Sequence, residues 1–391
     1  MQLEGKNVIN EQTIKKESKL SFKFDLQSYT LILALIFIAI IFTFFTDGEF
    51  LSSRNISNLF TQMSIIAVLA VGMTLVIVAG HIDLSVGSIV GVTGGIAAML
   101  QVWQGWSTPV VVLAAIIIGG LIGLWQGWWV AYRAVPAFIV TLGGMLIFRG
   151  VLIGLSDGQT ISSLNPSFKQ IGNSYLPFIP GYIIAAIAVI LMIAFTVNSR
   201  RKRKEMGLLL LPSVIDYGKV TVYSVVLVVI TYMLNRYLGI PIPFLIVAVI
   251  ALIFMFITTK TAFGRRIYAI GGNPEAAALS GINIKRNTLY VFISMGALAG
   301  VAGVLLTARL NAATVSAGNS YELDAIAACV IGGTSLMGGK GKIFGAIIGA
   351  LIMASIDNGM SMMNIGAYWQ YIVKGLILIL AVWVDIISKN K

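Results

Sequence analysis

Charge is the scarcest resource in this sequence. Of 391 residues, only 11% are Asp, Glu, Lys or Arg, whereas 58% are hydrophobic. A soluble domain carries about a quarter charged residues, so this chain cannot cover a water-facing surface. A soluble nucleotide-binding enzyme and a disordered chain are both excluded. Cysteine occurs once, at Cys329 in an apolar stretch, which rules out an intramolecular disulfide and leaves an ordinary packing residue. Histidine also occurs once, at His81, so neither a histidine metal cluster nor a relay between histidines can be built. A phosphate cradle is missing as well. In Gly338-Gly339-Lys340-Gly341-Lys342 neither lysine is followed by the Ser or Thr of the P-loop pattern, and Ile343 comes next. With no nucleophile–base set either, no catalytic residue, metal or cofactor is expected. Energy for uphill transport has to come from a partner or from an ion gradient.

Apolar length is abundant. Roughly 227 hydrophobic residues, at about 20 per crossing, supply material for ten to twelve membrane helices. The expected fold is an all-α polytopic membrane protein with about twelve spans, and the 41 glycines suit close helix packing in lipid. A net charge of +12, from 27 Lys+Arg against 15 Asp+Glu, would suggest nucleic acid in a soluble protein, but here the location of the charges decides. Lys15, Lys16, Lys19 and Lys23 precede the first apolar run, Arg200, Arg201, Lys202, Arg203 and Lys204 form a cluster, Arg265 and Arg266 open a long polar loop, and Lys389 and Lys391 close the chain. This is the distribution of cytoplasmic loops under the positive-inside rule. Contact with anionic membrane lipid, and not nucleic acid, is expected. About 25 polar residues precede the first run and no small-residue cleavage pattern follows Phe45, so that run is expected as a retained helix.

Loop charge and apolar runs together predict a cytoplasmic tail over 1–28 and a single transmembrane domain over 29–391. Crossings are expected at 29–45, 58–79, 84–102, 109–130, 138–155, 181–197, 220–238, 243–258, 289–307, 325–336, 343–356 and 368–387. Both termini then lie inside, the nearly uncharged loop 156–180 outside, and the basic loop 260–287 inside. Two crossings are too short or too glycine-rich to be ordinary. Asp83-Leu84-Ser85-Val86-Gly87-Ser88 opens one and Glu322-Leu323-Asp324-Ala325 opens the other. They face opposite sides on this path, the relation expected of an inverted repeat with broken helices beside a transport route.

An ionisable group at the bilayer centre costs at least about 2.5 to 3.5 kcal/mol, so it faces a partner, water or a pathway. Asp83 with Ser85, Arg149, Asp324 and Asp357 are the candidate pathway residues, and Lys374 joins them as an intramembrane cation. Asp83 precedes an apolar run, where it can accept from free helix N–H groups, face substrate, or do both. Arg149 and Lys374 have the alternative of snorkelling to the surface. Asp357-Asn358-Gly359 reads as a helix end at the outer face, and Trp125, Trp128, Trp129 and Tyr132 as an interfacial belt, with stacking on a sugar as the alternative.

The basic loop has a readable design. Asn273-Pro274 is a good helix start, Glu275 suits the N-terminal dipole, Ala276 to Leu279 extend a compact helix, and Gly281 stops it. A short helix of small residues projecting from a membrane domain can dock in a groove on another protein or lie on lipid.

This loop, with Gly80-His81-Ile82-Asp83-Leu84-Ser85-Val86-Gly87-Ser88, Val140-Thr141-Leu142-Gly143-Gly144 and Ala328-Cys329-Val330-Ile331-Gly332-Gly333-Thr334-Ser335, resembles the permease subunits of bacterial monosaccharide ABC importers of the ribose and xylose group. The similarity covers nearly the whole chain after the tail. Trp128 to Arg133, Ala354 to Met363, Trp369 to Gly375 and the additional segment 200–238 are most like the xylose-type subunits. His81 departs from that pattern, which has an acidic residue there. The resemblance implies a homodimeric or pseudo-symmetric pair of permeases in the bacterial inner membrane, coupled to cytoplasmic ATP-binding cassette subunits and fed by an extracytoplasmic sugar-binding protein. It further implies that Gly271, Gly272, Asn273, Pro274, Glu275, Ala276, Ala277, Ser280 and Gly281 form the coupling helix. Another monosaccharide such as ribose or galactose, or an ion-coupled secondary transporter using Asp83, Arg149 and Lys374, are the alternatives.

Overall fold

Lipid offers no partner to backbone N–H and C=O groups, and a helix satisfies them within the segment. A computed structural model describes residues 26–208 and 212–389. The expected tail up to residue 25, and Lys391, lie outside the described residues. The helices are α1 (Leu26–Phe45), α2 (Ser53–Val78), α3 (Val86–Val102), α4 (Thr108–Arg133), α5 (Ala137–Ser156), α6 (Pro166–Asn173), α7 (Phe178–Glu205), α8 (Ser213–Asn235), α9 (Ile242–Lys260), α10 (Ala262–Gly272), α11 (Pro274–Leu279), α12 (Ile284–Leu310), α13 (Tyr321–Ile331), α14 (Ile343–Met362) and α15 (Ala367–Lys389). Among the described residues nine helices are long and apolar enough to cross a membrane, and α3 and part of α1 are shorter apolar helices. Each of the twelve expected crossings overlaps a helix, but the one expected at 325–336 meets only the 11-residue α13, too short to cross alone.

The ends differ where caps or charge extend a helix beyond its apolar run. The Ser52 side chain accepts from the Asn55 amide, so α2 starts at Ser53, before the expected 58. Arg200 to Lys204, expected in a loop, lie in the last turns of α7, where cations favour the negative end of the helix dipole. Arg200 pairs with Asp216 at the start of α8 and ties the α7–α8 hairpin. The expected outer loop 156–180 carries α6 and two short strands.

The core is set by which helices water and lipid cannot reach. α2 is buried along almost its whole apolar length and α12 and α14 along about two thirds of theirs, whereas α7, α8 and α15 bury few residues fully and so form the lipid-facing periphery. α4 and α12 approach through glycine: a Cβ at Gly119 would meet the Gly296 carbonyl, one at Gly296 would meet the Gly119 carbonyl, and one at Gly123 would meet the Phe292 carbonyl. Small residues at intervals of four allow backbones this close in membranes. Two antiparallel ladders staple the loops. β1 (Ile161–Ser162) pairs with β4 (Ala312–Ala313), and β2 (Tyr175–Leu176) pairs with β3 (Ile240–Pro241).

Candidate transport site and coupling elbow

Two broken crossings meet inside the bundle. α3 is preceded by a non-helical stretch over 79–85 and α13 by one over 311–320. Their first turns touch: a Cβ at Gly87 would strike the Gly318 carbonyl and the Glu322 carboxylate, and one at Gly318, which has φ +72°, would strike the Gly87 carbonyl. Two positive helix ends therefore converge, with Asp83 ahead of one and Glu322 and Asp324 in the first turn of the other.

Asp83 and Ser85 are fully buried. Asp83 Oδ1 accepts from the Ser85 amide at 2.8 Å and from Ser85 Oγ at 2.6 Å. Ser85 Oγ in turn accepts from Gln126 Nε2 of α4 at 2.7 Å. Asp83 thus closes a turn just ahead of α3, and the chain of polar atoms reaches into α4. Gln126 is not among the residues singled out from the sequence, although a lone amide between Trp125 and Gly127-Trp128 in an apolar run is a visible signal.

Arg149 of α5 does not snorkel. Its Nη1 donates to the carbonyls of Val315 at 2.6 Å and Ala317 at 2.9 Å. The reason is backbone accounting: a non-helical stretch packed within the bundle leaves carbonyls that need donors, and a guanidinium carries five.

Lys374 does not snorkel either. Its Nζ lies 2.9 Å from Asp324 Oδ2 and 2.7 Å from Asp357 Oδ2, joining α13, α14 and α15. The expected helix end at Asp357 is corrected, because α14 continues to Met362. The Asn358 amide accepts from Asn55 Nδ2 of α2 at 2.9 Å, and Gly359 lies against the Phe42 ring of α1. Tertiary partners take up groups that a turn would otherwise have used. Oδ1 of both Asp324 and Asp357 is buried without a hydrogen-bond partner. The five predicted pathway residues thus form two groups, Asp83 with Ser85 and Asp324 with Asp357, while Arg149 pins the stretch leading into α13.

His81 lies with its ring 5.9 Å from that of Phe292. Trp125, Trp128, Trp129 and Tyr132 are exposed on the bundle surface, and Arg133 stacks over Trp128 at 4.8 Å. Cys329 packs as expected, with its thiol donating to the Ala70 carbonyl at 3.2 Å.

The loop 260–287 is more ordered than a polar loop. α10 and α11 form an elbow and α12 begins at Ile284, earlier than the expected 289. Asn273 Oδ1 accepts from the Ala276 amide at 3.0 Å, Pro274 and Glu275 fill the first turn, and Ser280 Oγ donates to the Ala276 carbonyl at 2.9 Å. Gly281 has φ +78°, the left-handed conformation that ends helices. Ala277 is buried, whereas Leu279 is 91% exposed at the tip. The elbow is clamped to the bundle at its other end. A Cβ at Gly271 would collide with the Val78 carbonyl at the end of α2 and lie 2.6 Å from the Gly339 nitrogen. One at Gly339 would lie 2.8 Å from the Gly272 Cα. The Gly339 amide donates to the same Val78 carbonyl at 2.9 Å. Tyr268 Oη donates to the Gly341 carbonyl at 2.7 Å, and burial pushes the Tyr268 phenol above its ordinary value, so the donor proton is retained. The elbow therefore touches both the end of α2, five residues before Asp83, and the glycine loop that starts α14. Beside it a cavity of about 570 Å³ is lined by Phe263, Arg266, Asn283, Arg286 and Tyr290.

A multi-pass helical bundle with two broken crossings and a projecting elbow defines the chain as the membrane component of a transport system. Residues 55–382 match the family described as branched-chain amino acid transport system / permease component, and the chain belongs to it. It is 51% identical over 367 residues to the xylose transport system permease protein XylH of Escherichia coli K12, covering 94% of this chain and 93% of that one. Identity to the protein of the same name from Haemophilus influenzae is 50%, covering 94% and 98%. The ribose import permease protein RbsC of E. coli K12 is 35% identical, covering 96% and 98%. No solved structure matches the chain.

Proposed function

We propose that this chain is the permease subunit of an ATP-driven D-xylose importer, working as a homodimer with cytoplasmic ATP-binding cassette subunits and an extracytoplasmic sugar-binding protein. The observation that carries the sugar is the 51% identity to a xylose permease over nearly the full length, against 35% to a ribose permease. ATP hydrolysis belongs to the partner, and both termini and the elbow face the cytoplasm.

In this reading the elbow segment Gly271 to Ala277, with Ser280 and Gly281, docks on the ATPase through its exposed face, while Gly271 and Ala277 pack against the permease itself. Its closure pushes the elbow against Val78 and the glycine loop, and the push reaches Asp83 through the end of α2 and Asp324 through α13. Asp83, Ser85, Arg149, Asp324 and Asp357 border the sugar's route where the half-helices meet, a position that transporters use for binding. The Asp324–Lys374–Asp357 group supports a two-state element, since its bonds join three helices that have to separate when the route opens.

The test is reconstitution of the permease with its ATPase and binding protein in proteoliposomes. ATPase activity is expected to rise with binding protein and xylose more than with ribose or galactose. Ion-gradient-driven uptake by the isolated chain would overturn the reading, and equal stimulation by ribose would reassign the sugar.

A further inference from the structure

Two cavities at the basic end of the bundle share one side chain. The larger, about 520 Å³, lies between α1, α8 and the start of α14, walled by Leu31, Ile32, Phe344 and Ile348, with Lys340 and Lys342 at its rim. Its floor is backbone, contributed by Gly332, Gly333, Gly339, Gly341 and Gly345. Tyr223 of α8 closes it and also lines the smaller cavity of about 280 Å³, where Met192 and Phe195 form apolar walls. That cavity is edged by Arg200, Arg203 and Lys219 against one acid, Asp216, which is paired with Arg200.

A tandem site of this composition fits one ligand class. Apolar walls suit acyl chains, and a cation-rich rim suits a phosphodiester. Basic pockets between transmembrane helices on the cytoplasmic side hold anionic headgroups, and each nearby Lys or Arg contributes on the scale of fivefold in affinity. A soluble anion has no use for the apolar walls, and a zwitterionic lipid has none for the excess of cations. We infer that the two cavities joined at Tyr223 bind an anionic phospholipid, its phosphate held by Lys340 and Lys219 and its chains laid along α1, α7 and α14. Tyr268 also lines the larger cavity and bonds the Gly341 carbonyl in its floor, so an occupying lipid stiffens the glycine loop against which the elbow is clamped.

The test uses the full-length permease in nanodiscs containing equal phosphatidylglycerol and phosphatidylcholine, released into native mass spectrometry. The unaltered protein should retain phosphatidylglycerol preferentially. Lys340→Gln and Lys219→Gln should each lower that preference about fivefold. Arg201→Gln, which removes a charge from the same helix end outside both cavities, should leave it unchanged. Equal loss in Arg201→Gln, no loss in the Lys340→Gln/Lys219→Gln protein, or displacement by millimolar inorganic phosphate each overturns the site. Should the variants fail to fold, a photoactivatable phosphatidylglycerol on the unaltered protein must label peptides containing Tyr223 or Phe344, and labelling elsewhere overturns it equally. Lipid retention is independent of the coupling role proposed above. A several-fold fall in sugar-stimulated ATPase on replacing phosphatidylglycerol by phosphatidylcholine depends on that role, so failure of the second with success of the first indicts only the coupling reading.

Discussion

Lys374 Nζ stands 2.7 Å from Asp357 Oδ2, and the same ammonium reaches Asp324 at 2.9 Å. One cation therefore serves two carboxylates on different helices. Removing one partner of a buried ion pair costs about 3 to 5 kcal/mol because it strands a charge, and the three positions are not equivalent. Lys374→Met leaves two carboxylates without a cation and is expected to lower the unfolding temperature sharply and abolish transport. Asp357→Asn keeps the Lys374–Asp324 pair and should retain most of the folded protein. The comparison is read by thermal unfolding in detergent and by uptake in proteoliposomes. Equal stability of the two variants would remove the central role given to Lys374.

The clamp at the base of the elbow predicts uncoupling. Gly271→Leu places carbon where the Val78 carbonyl and Gly339 nitrogen already lie, so the elbow has to lift. Sugar-stimulated ATPase in the complex should fall at least tenfold while the permease still inserts. Tyr268→Phe removes a single hydrogen bond of about 1 kcal/mol and should cost only a few-fold. If Gly271→Leu transports normally, the elbow does not transmit motion through Val78.

Helix capping allows a finer test of the elbow tip. Asn273→Ala loses the acceptor for the Ala276 amide, a change worth about 1 kcal/mol at an N-cap. Asn273→Asp keeps an acceptor and should restore ATPase stimulation, and Glu275→Arg, which opposes the dipole, should impair it without affecting membrane insertion. Equal loss in the Ala and Asp variants would point to a specific amide contact with the partner instead of a cap.

Packing between α4 and α12 is expected to be the fold's least tolerant contact. Gly296→Val introduces a side chain against the Gly119 carbonyl and should remove monodisperse protein in size-exclusion chromatography. Gly143→Ala, where nothing lies within 4 Å, should behave as the unaltered protein.

Topology is testable with one reagent. The native Cys329 is buried and bonded to Ala70, so a membrane-impermeant maleimide should leave the unaltered protein unlabelled. Cysteines placed at Lys202 and Ser174 should then react from opposite faces of sealed vesicles. Labelling of both from one face would refute the path.

Composition and run length by themselves determine a polytopic helical membrane protein, because the bilayer sets both the length of an apolar run and its need for internal hydrogen bonds. The cap at Asn273 and the stop at Gly281 are legible in the sequence because capping is local chemistry within a few residues. The two anomalous crossings at Asp83 and Glu322 are visible there because polar residues in apolar runs are conspicuous. Tertiary structure alone decides what those polar residues do. Lys374 and Arg149 have plausible exits to the surface along their own helices, and only the approach of α13 and α14, and of the stretch before α13, turns them inward. Asp357-Asn358-Gly359 has the local signature of a helix end, and only Asn55 and Phe42, some three hundred residues away in sequence, let the helix continue. Pairings at that separation leave no periodicity in the chain, since their energy comes from groups brought together after the helices have formed.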